Sequence, residues 1–400
     1  MTRVLVLNCG SSSVKYRLFD VPPNAQAGAG AGTAAAAPGG AGEVAAPLVV
    51  ATGVVEQIGE RVPGAPRDHA EALAAVMSDL PLEGLTAVGH RVVHGGLTFT
   101  TPALVDDAVL AAIADLVPLA PLHNPANLAG IEVARALLPG TPQVAVFDTA
   151  FHRTLAPAAS TYAIDAATAE RYGIHRYGFH GTSHAIVSRR TAALLGRPLD
   201  EVNTITLHLG NGASACAVEG GRSVATSMGL SPLEGLVMGT RSGDLDPAII
   251  FHLHRVAGMP FAEIDNLLNR RSGLTGLAGV NDMRTLLTRR AAGDRAAALA
   301  FDVYCRRIRS YVGAYYAELG RLDAITFTAG VGENAPAVRA AALTGLDRLG
   351  IAVDPARNDS PERGARVISP PEAPVAVCVV PTDEEWEIAS QTLAVVAGPR

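Results

Sequence analysis

Lysine is the residue this chain most nearly lacks. Of its 32 basic residues only Lys15 is a lysine, and the rest are arginine. A chain that uses arginine elsewhere keeps a compact ammonium at one point, where a wide planar fork would not substitute. Cysteine is scarce too. Cys9, Cys216, Cys305 and Cys378 stand far apart with no C-x-x-C pair, which argues against a structural zinc and fits a reducing compartment. No apolar run approaches the roughly 18 residues of a membrane-spanning helix. The four apolar residues after Met1-Thr2-Arg3 are too few for a signal peptide. A cytoplasmic protein without membrane contact is expected. The net charge of −6 argues against a nucleic-acid partner held by bulk electrostatics. Also missing is any Walker G-x-x-x-x-G-K-[ST] or dinucleotide G-x-G-x-x-G motif.

What is present begins at Val4–Asp20. A short apolar run ends at Asn8, a polar turn of Cys9-Gly10-Ser11-Ser12-Ser13 follows, and a second run starts at Val14. This predicts a β-hairpin whose loop offers many donors to one anion, with Lys15 at its foot. Pro22 to Pro47 is a low-complexity insert. Strands are expected at Leu48–Val55, Ala87–Val93, Gln143–Phe147, Thr204–Leu209, Ala215–Val218 and Asp323–Thr328. Helices are expected at Asp68–Leu80, Asp106–Ala120, from Ala126, and at Phe261–Asn269 and Arg295–Leu319. Thr382 reads as the N-cap of a final helix, with Glu385 completing a capping box. The alternation is that of an α/β protein. The turn Gly210-Asn211-Gly212 between two strands repeats the opening hairpin, and Ala329–Asn334 is a third small-residue turn. The repetition suggests a duplicated domain, one hairpin from each copy facing a shared cleft.

Each candidate site has a plainer alternative. A glycine turn taken singly is an ordinary tight turn. Eight of the eleven histidines fall between His90 and His208. His180 and His184 are four apart, so that one can face a ligand while the other caps or packs. The sequence around Arg241 is either a solvated loop with a local ion pair or a guanidinium aimed at an oxyanion, and Arg91 sits similarly at a strand end. Asp148 ends a buried strand and can simply cap the next turn. Glu384 stands free to approach a divalent ion if Glu385 makes the capping contact.

Several longer motifs carry a family resemblance. They are NCGSSSVKY (Asn8–Tyr16), HRVVHGG (His90–Gly96), FDTAFH (Phe147–His152), RYGFHGTSH (Arg176–His184) and HLGNGAS (His208–Ser214). SMGLSPLEGLVMGTRSGDLDP (Ser227–Pro247), AGVGENA (Ala329–Ala335) and TDEE (Thr382–Glu385) extend the match. The chain resembles the acetate kinase family along nearly its whole length. That resemblance implies a duplicated ribonuclease-H-like, actin-like ATPase fold whose domains flank a nucleotide cleft. The first domain would comprise residues 1–150 with 385–400, carrying the 22–47 insert. The second, 151–384, would carry most of the nucleotide site. It also implies reversible, Mg²⁺-dependent transfer of phosphoryl from ATP to acetate, with Mn²⁺ as a substitute ion, by a cytoplasmic homodimer.

Site residues follow from the same resemblance. Asn8 and Glu384 would position the metal. Ser11, Ser13, Lys15, His208, Leu209, Gly210, Asn211 and Gly212 would handle phosphates. Asp282, Met283 and Arg284, with Gly330, Val331, Gly332, Glu333 and Asn334, would hold adenosine. Acetate would lie beside Arg91, Val93, Leu122, Phe179 and Pro232. His180 and Arg241 would stabilise the transferring group, and Asp148 is the acidic active-site residue. Trp386 departs from the aliphatic residue expected after TDEE. A propionate or butyrate kinase of the same family is the alternative reading. A non-enzymatic actin- or Hsp70-like binding protein is a third, but it needs no paired arginines beside an apolar pocket.

Overall fold

The computed structural model describes residues 1–10, 12–23, 47–60 and 62–398. Ser11 and most of the Pro22–Pro47 insert lie outside the described residues. The chain forms two compact units, Met1–Arg153 with Asp383–Arg400, and Thr154–Thr382. The return to the first unit falls at Asp383, so Glu384 belongs with the N-terminal residues.

In the first unit β1 (Thr2–Cys9), β2 (Val14–Val21), β3 (Leu48–Val55), β4 (Leu85–Val92), β5 (Ala103–Leu104) and β6 (Gln143–Phe147) form one sheet. Its strand order is β3-β2-β1-β4-β6-β5. The β1–β2 hairpin is antiparallel with Asn8 opposite Lys15, and β1, β4 and β6 run parallel. Alternation along β1 explains its two faces. Leu5, Leu7 and Cys9 join Leu73 and Met77 of helix His69–Asp79 and Ala134 of helix Asn124–Leu137 in one core. Val4 and Val6 join Val144, Val146 and Ile388, Ala389 and Leu393 of the C-terminal helix Glu384–Ala397 in the other. Two glycines permit these close packings. A Cβ on Gly130 would meet the Cys9 side chain, and one on Gly89 would meet Thr392 and Ile388.

The second unit repeats the arrangement. Its strands are β7 (Asn203–Leu209), β8 (Ala213–Glu219), β9 (Arg222–Thr226), β10 (Ala324–Thr328), β11 (Arg366–Val367) and β12 (Ala376–Val379). Read from β9 the order is β9-β8-β7-β10-β12-β11, strand for strand that of the first sheet. Antiparallel and parallel pairings fall at the same places. This is the expected duplicated ribonuclease-H-like fold. Every residue of β7 is buried. Its alternate positions Thr204, Thr206 and His208 share one face of the sheet. The last two meet His184 and Ser183 of helix Gly181–Leu194.

Local differences have local causes. The helix expected over Asp106–Ala120 ends at Asp115, and Pro118 starts a 3₁₀ turn at Val117–Leu119. The next helix begins at Asn124 with Pro125 in its first turn, two residues ahead of the expected Ala126. Residues Ala329–Asn334 form a short helix instead of a turn. In the final helix Asp383, not Thr382, is the N-cap and accepts from the Trp386 N–H. Aspartate caps at least as well as threonine, and Thr382 is engaged elsewhere, its hydroxyl lying 2.8 Å from that of Ser183.

Candidate active site

In the first unit the candidate residues gather at the carboxyl ends of parallel strands, the usual ligand-facing end of such sheets. Asn8 and Lys15 are cross-strand partners at the mouth of the β1–β2 hairpin. The loop beyond them is anchored from three sides. The Gly10 N–H donates to the Ser13 carbonyl at 2.7 Å, and the Ile58 N–H donates to the Ser12 carbonyl at 3.1 Å. The Gly10 carbonyl lies 2.7 Å from His69 Nε2. A carbonyl only accepts, so the His69 proton sits on Nε2.

Arg91 lies on β4, and Asp148 follows the neighbouring β6. Arg91 Nε stands 3.1 Å from both Asp148 carboxylate oxygens, and Nη2 donates to Oδ2 at 2.6 Å. The Asp148 side chain is 1% exposed and that of Arg91 20%. The bidentate grip fixes the plane of the guanidinium while leaving one edge accessible. Glu384 Oε2 approaches Arg91 Nε to 4.0 Å. Burial works against the Arg91 charge, but Asp148 and Glu384 outweigh it and its pKa rises. Burial lifts the Glu384 carboxyl above the ordinary carboxylate range. Arg91 opposes this, and the neighbouring charges of Asp148 and Glu385 add to it. A carboxylate in that state gains from a further cation.

The donor set fits magnesium. An amide oxygen and a carboxylate are hard ligands, and Mg²⁺ takes few protein ligands beside water and phosphate. Of the apolar wall assigned to this unit, Val93 is buried and Leu122 is exposed.

In the second unit His180 is the N-cap of helix Gly181–Leu194 and adopts the left-handed conformation, φ +55°. Its Nδ1 lies 2.8 Å from Ser214 Oγ. The same hydroxyl lies 2.8 Å from His184 Nε2, and His184 Nδ1 lies 2.7 Å from Thr206 Oγ1. A hydroxyl has one proton, so Ser214 donates to one ring and accepts from the other. His180 also stacks on His208 with ring centroids 4.1 Å apart. His184 and Ser214 are fully buried, so of the two histidines in HGTSH it is His184 that packs.

The turn after β7 stands in front of this pair. A Cβ on Gly212 would sit 3.6 Å from the His180 ring and 3.7 Å from Arg241 Nη1, so both donors converge on its backbone. Arg241 Nη1 also donates to the Pro232 carbonyl at 2.9 Å. No carboxylate pairs with Arg241 among the described residues, and burial draws its pKa down. A partly desolvated cation without a counter-ion attracts an anion strongly. Phe179, beside His180, is fully buried, and Pro232 is half-buried.

The residues expected at adenosine occupy two elements. Asp282 caps helix Met283–Ala291 and pairs with Arg284 at 2.9 Å, which with the Thr285 N–H holds its carboxyl down at about 2. Met283 is buried, and so is Leu209, the last residue of β7. Gly330 is exposed and a Cβ there would meet no atom within 4 Å. Glu333 Oε1 turns inward and accepts from the Ala329 N–H at 2.9 Å and the Thr382 N–H at 3.3 Å.

Sequence reading missed the supporting residues: Ser214, Thr206, Ser183, His69 and Arg339. Ser214 lay inside a recognised motif as a small turn residue. Thr206 reads simply as a β-former. Nothing in one dimension says that their hydroxyls face histidines.

A profile of the Acetokinase family matches residues 3–390. The acetate kinase of Streptomyces avermitilis is 58% identical over 99% of this chain and 98% of that protein. The crystal structure of Porphyromonas gingivalis acetate kinase superposes with a TM-score of 0.89 at 39% identity, covering 100% of both chains. A propionate kinase from Francisella tularensis gives a TM-score of 0.87 at 37% identity, covering 98% of this chain and 99% of that one. On the profile, the full-length identity and the fold alike, the chain belongs to the acetokinase family.

Proposed function

We propose that this protein transfers the γ-phosphoryl group of ATP to acetate, releasing ADP and acetyl phosphate, and runs the reaction in both directions. One bond forms, between a carboxylate oxygen and the γ-phosphorus. One breaks, between that phosphorus and the β,γ-bridging oxygen. The observation that carries the reading is the convergence of His180 and Arg241 on the Gly212 backbone. These donors suit a phosphoryl group whose charge spreads over its equatorial oxygens during transfer.

Carboxylic acids titrate near pH 4, so acetate arrives as an anion and no general base is needed. The difficulty is charge. An anion attacks a polyanion, and cations must offset the repulsion. Lys15, with the serines of its loop (Ser11 and Ser13) and the His208–Gly212 turn, would hold the phosphates. Asp282–Arg284 and Gly330–Asn334 would hold adenosine. Arg91, fixed by Asp148, would take the acetate carboxylate, with Val93, Leu122, Phe179 and Pro232 around the methyl group. Asp148 thus acts by holding an arginine. Asn8 and Glu384 would hold Mg²⁺, or Mn²⁺ in its place. The ion, when bound, supplies further neutralisation of phosphate charge.

A second reading, propionate as acceptor, is favoured by one fact, the similarity to the F. tularensis propionate kinase. One methylene alters discrimination by only about 1–3 kcal/mol. Trapping the acyl phosphate with hydroxylamine, using ATP, Mg²⁺ and each of acetate, propionate and butyrate, tests both. The highest kcat/KM is expected with acetate. Higher efficiency with propionate would install the second reading, and no product from any acid would overturn both.

A cytoplasmic homodimer is the corresponding assembly. No helix among the described residues is long and apolar enough to cross a membrane. Ile249, Phe251, Val256 and Phe261 are exposed on two successive helices of the second unit, Ala248–Ala257 and Phe261–Arg270. A second copy would bury such surface.

A further inference from the structure

Arg339 is a large, fully buried side chain, 0% exposed, on helix Pro336–Leu343. Its bonds go to neutral oxygens. Nε donates to Asn358 Oδ1 at 2.7 Å and Nη2 to the Asn358 carbonyl at 2.7 Å. Nη1 donates to the carbonyls of Gly332 at 3.0 Å and Glu333 at 2.9 Å. Burying a cation against neutral acceptors is costly. Burial draws its pKa down to about 10; nearby Arg366 adds to the effect and Asp359 opposes it. The family chemistry described above gives this cation no task.

Its geometry supplies one. Gly332 and Glu333 lie in the last turn of the helix Ala329–Asn334. Carbonyls there have no partners within the helix and carry its negative end. A helix of six residues is too short to persist alone. It starts, moreover, from Ala329 at φ +65°, a conformation that costs a residue with a Cβ. Glu333 satisfies the Ala329 N–H at one end, and Arg339 satisfies two carbonyls at the other. The segment is clamped from behind at both ends, while Gly330 in front remains open.

We propose that Arg339 is a positioning residue for the nucleotide: it touches no ligand, but sets the backbone of Gly330–Asn334 in the conformation that receives adenosine. Asn358 is its anchor, orienting the guanidinium through two oxygens. The inference rests on the assignment of this segment to adenosine in the proposed function.

The test titrates the full-length wild type and variants with a fluorescent ADP carrying an N-methylanthraniloyl group, alongside KM for acetate. Arg339→Lys keeps the charge and loses the fork. Nucleotide affinity is expected to fall at least tenfold, with KM for acetate changing less than twofold. Asn358→Ala should weaken nucleotide binding severalfold, and Asn358→Asp, which keeps an acceptor, should stay within twofold of wild type. Unchanged nucleotide affinity in folded Arg339→Lys would overturn the proposal, as would equal losses for acetate and nucleotide. If Arg339→Lys does not fold, Asn358→Ala decides: wild-type affinity there refutes the clamp. Weakening in Asn358→Asp equal to that in Asn358→Ala would also refute it. A wild type that binds the ADP probe with an affinity lowered in Arg339→Lys, yet phosphorylates no carboxylic acid, would sustain this inference while ending the acetate reading. A wild type that does not bind the probe would end the inference.

Discussion

Arg91 is held before any substrate arrives. Three bonds to a carboxylate that is 1% exposed leave its fork little freedom, so binding an anion costs little further ordering. Its replacement should be felt mainly as weaker acceptor binding. Arg91→Ala is expected to raise KM for acetate far more than KM for ATP. Arg241→Ala should instead lower kcat by on the order of 10²–10³, the typical effect of losing one oxyanion donor. Steady-state kinetics in both substrates decide this, and equal KM effects on acetate and ATP would refute the division. Asp148→Asn should be strongly non-additive with Arg91→Ala, since the two act as one unit.

The Ser214 hydroxyl is a second case at this scale, because it joins two imidazoles, donating its one proton to one ring and accepting from the other. Ser214→Ala removes a bond that orients His180 and should lower kcat about tenfold, the worth of one well-placed hydrogen bond. A variant with unchanged kcat would mean that stacking on His208 alone holds the ring. Sequence motifs named Arg91, Asp148 and His180 but could not name this hydroxyl. Its role is a matter of which β8 side chain faces which helix residue.

At the scale of elements, strands were the most legible feature. The apolar runs of β1 and β6 mark these strands, and β3 and β6 fall where expected. The long helix Arg295–Leu319 has its expected bounds, with Asp294 as cap and Gly320 after it. The small residues of segment 329–334 predict a turn after β10, and Gly330 and Gly332 disfavour helix. Glu333 and Arg339 override that preference through contacts that no local rule contains.

Close packing between elements was equally hidden. Gly130 stands where helix Asn124–Leu137 crosses Cys9. Alanine is the better helix former by about 1 kcal/mol, but here its Cβ would overlap the Cys9 side chain. Gly130→Ala is expected to lower stability in urea unfolding by roughly 1–3 kcal/mol. Adding Cys9→Ala to that variant should recover part of the loss. A stabilised single variant would refute the packing argument.

At the scale of the molecule, both units share one strand order, and each presents its first hairpin and a set of cations. One buried titratable group affects the pH range of the first unit. His90 lies inside β4 with Nε2 2.7 Å from Gln143 Oε1, and burial lowers its pKa from 6.5 to about 4. As pH falls below 6.5 the unfolded chain takes up this proton and the folded chain does not. Stability is therefore lost from there down to about pH 4. Between pH 7 and 4.5 the wild type should lose roughly 2–3 kcal/mol through this group. His90→Gln should not lose it, so that the stability gap between the two narrows on acidification. A gap constant with pH in urea unfolding would refute this.

By itself the sequence determined the α/β class, the hairpin ahead of Lys15, most strand limits and the motif residues, because these depend on short-range alternation and on residue chemistry. The tertiary structure decided the rest. It placed Glu384, from the end of the chain, 4.0 Å from Arg91 on β4. It showed the second sheet to repeat the first strand for strand. It put Asp383 at the helix cap, joined Ser214 to two histidines and buried Arg339 behind a glycine segment. Those outcomes share a cause. Each depends on which face of one element meets which face of another, and local sequence preferences do not encode that pairing. What local pattern does encode is the hairpin itself, where Asn8 and Lys15 face each other across two strands joined by a short turn.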